Sequence, residues 1–189
     1  SSGNSIVKYD LDNGTFSDIV NNIPNNGINK EIKLLIKGDI LYASIGSNTN
    51  SGVVDSPGAE VDIPSFHWIL SGKKYGSGGT SGFCKYSESA QEDSTINEGK
   101  LSNASIISCN LIDNEITTYA TGIRNVKGYS ITSDGKIIAI VGGVEDSGAR
   151  PLANDKDYIY MIKEKSWYGW PDFSGGDPVN SPRFIAGKE

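Results

Sequence analysis

Two stretches of this chain, one hundred residues apart, lie over one another: SIVKYDLDNGTFSDIVNNI (5–23) and SIISCNLIDNEITTYATGI (105–123), with Ser5 on Ser105, Leu11 on Leu111 and Ile23 on Ile123. Each alternates apolar and polar residues on either side of a short turn, which is the period of a half-buried strand rather than of a helix. A second pair of alternating runs follows each copy, IKGDILYASIG (36–46) and TSDGKIIAIVGG (132–143), with Lys37-Gly38-Asp39 and Asp134-Gly135 as turns. Strand, turn, strand, linker, strand, turn, strand therefore recurs. A further run, DYIYMI (157–162), adds another strand, and helix signals are scarce.

Recurring antiparallel units of this kind predict an all-β fold of four-stranded β-propeller blades, each of roughly 40 to 50 residues. The hundred-residue offset exceeds that spacing, and the excess is a Ser-, Gly- and Asn-rich insertion over residues 47–103, including SGKKYGSGGTSG (71–82). Such an insertion is expected as a loop on one face of the scaffold, either a binding surface or a passive cover. The strands suffice for two to three blades, whereas closed propellers have roughly four to eight. Residues 1–189 then read as part of a single propeller domain: a piece of a larger ring, an open arc, or a segment completed by another copy through its exposed blade edges.

Composition narrows the partners. With 189 residues, 37% of them hydrophobic, the chain can bury a core. Its 17 basic and 23 acidic residues leave a net charge of −6 with no basic block, so nucleic acid is not an expected partner. No apolar run is long enough for a transmembrane helix. Cys84 and Cys109 are too few for a zinc site; a disulfide and two separate thiols both fit.

The last third carries three motifs in a fixed order: GIRNVKG (122–128), GGVEDSGARP (142–151) and WYGWPD (167–172), with a fourth, ILYASIGSNTNSGV (40–53), upstream. Together they resemble the glucose/sorbosone dehydrogenase family, six-bladed propellers that include soluble quinone-dependent sugar dehydrogenases. The resemblance covers most of residues 30 to 185. It implies a secreted or extracytoplasmic oxidoreductase acting on a sugar, with pyrroloquinoline quinone and Ca²⁺ as cofactors. In that family an Arg-Asn pair contacts the carboxylated quinone, which transfers to Arg124 and Asn125. Lys127, where the quinone binders often carry Gln, and Arg150 complete the candidate cofactor ligands.

Beside the resemblance, each group has a reading from its own chemistry. A guanidinium fork suits a carboxylate, but it also pins loop carbonyls, so Arg124 is either a ligand or a structural clamp. Glu145, Asp146, Asp155 and Asp157 are a candidate Ca²⁺ set in a loop without EF-hand spacing, or a solvated acidic loop whose Asp146 pairs with Arg150. Tyr168, Trp170 and Asp172 form a candidate sugar platform, since flat rings cover sugar C–H groups and polar edges meet hydroxyls; the alternative is packing between blades.

A sugar dehydrogenase also needs a base near neutral pH. Family members place a His before the LY-x-x-x-GS hairpin, and residues 24–42 contain none. The single histidine, His67, lies in the insertion between Phe66 and Trp68 and is the only candidate base of that type. Three function classes therefore stand: a quinone-dependent sugar dehydrogenase, a non-catalytic propeller module that binds a glycan or protein outside the cell, or a structural assembly unit whose exposed blade edges pair with another copy.

Overall fold

The structure, a computed structural model, describes residues 4–185. Its first two strands, β1 (Asn4–Asp10) and β2 (Thr15–Ile23), form a two-stranded antiparallel ribbon. Next come β3 (Leu34–Lys37) and β4 (Ile40–Ile45), then four short strands inside the insertion: β5 (Trp68–Ser71), β6 (Lys74–Tyr75), β7 (Thr80–Ser81) and β8 (Glu92–Ile96). The chain returns through β9 (Ser105–Asn110), β10 (Ile116–Thr121), β11 (Val126–Ile131), β12 (Ile137–Val141) and β13 (Tyr158–Ile162). It closes with β14 (Ser166–Trp167), β15 (Phe173–Ser174), β16 (Asp177–Pro178) and one 3-10 turn, Pro182–Phe184. Among the described residues the class is all-β, as the alternation predicts.

The two copies of the repeat are hairpins built alike. Asp10 and Asn110 each accept the N–H of the residue two places on, at 2.9 Å in both, and each main-chain carbonyl accepts the N–H four places on. That last N–H belongs to Gly14 in one copy and Asn114 in the other, both at positive φ, a conformation that glycine adopts freely and asparagine tolerates. The same positions are buried in both: Ile6 and Ile106, Val20 and Ala120, Ile23 and Ile123.

Their sheets differ, and this corrects the sequence reading of one unit per repeat. The ribbon β1–β2 stands as its own sheet, whereas β3–β4 pairs across the insertion with β9–β10. β4 runs antiparallel to β9 from Ile40 opposite Asn110 to Ile45 opposite Ser105. The physical cause is burial: β4 is covered along almost its whole length, so both of its edges need strand partners, and the chain leaving the insertion supplies the second. The resulting five-stranded sheet has the order β14-β10-β9-β4-β3, with β14 parallel to β10 and the rest antiparallel. A three-stranded antiparallel sheet, β11-β12-β13, follows.

The insertion also departs from expectation. Instead of a loop over one face, its start is threaded into the molecule, so that residues 41–54 form an unbroken buried run. The polar residues in that run are tolerated because they are bonded. The buried Asp62 carboxyl group accepts from the N–H of Asn48 (2.6 Å), the N–H of Thr49 (3.1 Å) and the Thr49 hydroxyl (2.5 Å). Beyond it, β5 pairs with β8 and β6 with β7. Phe83, Trp170, Val144, Leu152 and Phe184 close a core beneath this part of the chain.

Candidate functional site

The four motifs meet at one residue, Asn50. Its Oδ1 accepts from Arg124 Nη2 and from the N–H of Glu145, both at 2.9 Å, while its Nδ2 donates to the carbonyls of Glu145 (2.8 Å) and Ser147 (2.9 Å). The Asn50 carbonyl accepts from Arg124 Nε (3.0 Å) and from the Trp170 indole N–H (3.2 Å). Arg124 Nη1 donates to the Gly143 carbonyl at 2.7 Å.

These are the contacts of a loop clamp. Arg124 is 4% exposed, its Nε–Nη2 edge is committed to one residue, and Glu145 Oε1 lies 3.6 Å from Nη2. Burial works against the guanidinium's charge, and Glu145 offsets it. The space that Arg124 lines between Gly122, Val144, Tyr168 and Trp170 is about 20 Å³, room for one water. The bonds to Asn50 and Gly143 use three of the five guanidinium N–H donors. Asn125, half-buried, keeps its main chain in the ladder by accepting from the N–H of Gly142.

The remaining sequence candidates are distributed as follows. Lys127 pairs with Asp157 at 2.8 Å, and that contact holds the Asp157 carboxyl below its ordinary range. Asp155 accepts from the N–H of Val144 (2.7 Å), the Ser174 hydroxyl (2.6 Å), the Tyr158 hydroxyl (2.7 Å) and the N–H of Lys156 (2.9 Å). Glu145 and Asp146 are exposed. Among the described residues no three His, Cys, Asp or Glu side chains gather as a metal set. Arg150 does not pair with Asp146; it donates to Asp172 at 2.6 Å and to the Ser51 carbonyl at 3.2 Å. Both cysteines are free.

The platform residues separate as well. Trp170 is 6% exposed, and its N–H is held by Asn50. Tyr168 closes the edge of β13: its hydroxyl donates to the Met161 carbonyl (2.6 Å) and accepts from the N–H of Lys163 (2.8 Å). Around this corner the rings that reach solvent are Trp167, Phe173 and Phe66, at 42%, 37% and 36% exposure.

These three belong to a continuous aromatic strip. Phe173 lies 5.6 Å from Trp167, Trp167 lies 6.3 Å from both Phe66 and Trp68, and Phe66 stacks on Trp68 at 4.8 Å and 25°. Trp68 then reaches Phe83 at 5.9 Å, and Phe83 reaches buried Trp170 at 6.4 Å, so the exposed rings rest on a fixed inner row. Gly122 makes room: a Cβ there would stand 2.5 Å from the Trp167 ring, and its φ is +70°. His67 is exposed between Phe66 and Trp68 and lines neither the Arg124 space nor the Asn50 junction.

The sequence reading missed Trp167, Phe66 and Phe173. Alternation around Ser166–Trp167 carries the signal for Trp167, since it and Trp170 fall on opposite sides of the corner; the partnership with Phe66 spans a hundred residues and has no local trace. Comparison with protein-family models and with curated proteins finds no match for this chain. Among the described residues no helix is long and apolar enough to cross a membrane.

Proposed function

We propose that the chain is an arc of a β-propeller serving as a non-catalytic glycan-binding module outside the cytoplasm, with the Phe66–Trp68–Trp167–Phe173 strip as its contact surface. The strand order supports the architecture. β3-β4-β9-β10 has the antiparallel order of one complete blade, β11-β12-β13 supplies three strands of the next, and β1–β2, which repeats β9–β10, stands for the outer hairpin of the one before.

The observation that carries the function is the strip itself. Three rings from two distant segments present apolar faces to water while a buried row behind them fixes their positions. An exposed, preorganised aromatic surface suits stacking against the C–H faces of sugar rings at little ordering cost. A quinone-dependent dehydrogenase, the other reading of the motifs, would need room for the cofactor where Arg124 lines a space of about 20 Å³, and a base brought to the same place.

A glycan array tests the proposal. Saturable binding to neutral oligosaccharides is expected, weakened about tenfold or more in Trp167→Ala, because a stacked ring contributes on the order of 1.5 kcal/mol beyond its buried area. Binding unchanged by Trp167→Ala, or quinone binding without any glycan binding, overturns it.

A further inference from the structure

We propose that the pocket at the inner end of the aromatic strip binds a single acidic sugar residue, a hexuronate, at the terminus of the glycan. The inference rests on the glycan-binding reading and adds to it the class of the terminal residue. The pocket has a volume of about 170 Å³, below the roughly 300 Å³ of sites that enclose drug-sized molecules, and of a scale for one ring. Trp68 belongs to both the strip and the pocket wall, so a chain lying on Trp167 and Phe66 runs into it.

The wall combines the groups that a charged sugar requires. Trp68 and Tyr75 offer apolar faces. Asp172 accepts from Arg150 with Oδ1, and its second oxygen has no hydrogen-bond partner among the described residues. Ser81, 2% exposed, is on the wall with a buried hydroxyl that has no partner among the described residues. A buried polar atom left unpaired is uncommon, and one lining a small cavity is accounted for by a bound polar ligand. Lys73 Nζ stands 5.1 Å from the centroid of the Tyr75 ring, and the Arg150 guanidinium stands 5.2 Å from the same centroid.

Charge sets the class. Lys73 and Arg150 line the pocket against the single carboxylate of Asp172, so the site is locally cationic on a chain whose net charge is −6. A uronate carboxylate fits the two cations, while Asp172 and Ser81 are left for ring hydroxyls.

Matched ligands isolate the carboxylate: oligogalacturonates and their neutral methyl esters of equal length, titrated calorimetrically into wild type, Lys73→Ala, Lys73→Arg and Trp167→Ala. Lys73 is exposed, so its replacement leaves the core intact. The acid form of a pair is expected to bind about tenfold more tightly than its ester, with Lys73→Ala abolishing the difference and Lys73→Arg retaining it. Equal affinity for acid and ester, or an equal effect of Lys73→Ala on both, overturns the hexuronate site while the strip stands, provided Trp167→Ala weakens both. No binding of any ligand in the series, neutral or acidic, overturns the strip reading and this inference together.

Discussion

At the scale of single residues, Asn50 joins four segments: from the start of the insertion its side chain bonds the Arg124 loop and the 142–151 loop, and its main-chain carbonyl holds the tryptophan corner. Asn50→Asp keeps an acceptor for Arg124 but removes both Nδ2 donors and sets a carboxylate oxygen against two carbonyls. A loss of about 3 kcal/mol is expected, lowering the melting temperature by roughly 6 to 12 °C. Asp62 gives a second residue-level test. Burial pushes its pKa from 3.8 up to about 7, so the folded chain keeps a proton that the unfolded chain releases near pH 4. Its contribution to stability is full below the lower value and is lost as pH rises through about 7. Urea unfolding of wild type and Asp62→Asn at pH 5 and pH 8 should show a smaller loss across that window in the variant; equal losses would mean that Asp62 is ionised in the folded state.

At the scale of elements, the hairpins were legible because their signals are local. Alternation, the Asp10 and Asn110 turns and the buried positions of both copies all sit within twenty residues. Sheet membership was not legible, since what separates β1–β2 from β3–β4 is the arrival of β9 from across the insertion. The buried run at 47–54 was also hidden: Ser47-Asn48-Thr49-Asn50 reads as solvated loop until Asp62 and Arg124 are seen to bond it. The motif residues come together at Asn50, where Arg124 is bonded to Asn50 and Gly143, and within WYGWPD the ring facing solvent is Trp167 rather than Trp170. Tyr168 illustrates the element scale in a testable way, because its hydroxyl covers two main-chain groups on the edge of β13. Tyr168→Phe should raise hydrogen exchange at the Lys163 amide by about tenfold while exchange in β9 is unchanged, in keeping with loss of one edge hydrogen bond. Unchanged exchange at Lys163 would contradict this role.

At the scale of the molecule, a rigid junction stands apart from the exposed aromatic strip. The junction at Asn50 and Arg124 fixes the loops around a space of about 20 Å³, and the strip a short way outside it offers rings to solvent. The chain has three tryptophans, one in each situation: Trp170 bonded at the junction, Trp167 exposed on the strip, and Trp68 between strip and pocket. Each contributes one indole N–H signal, so a ¹H–¹⁵N titration with a neutral hexasaccharide reads the three places at once. The Trp167 and Trp68 signals should shift and saturate together while Trp170 stays fixed; a shift of Trp170 with Trp167 and Trp68 unmoved would place binding at the junction and contradict the account.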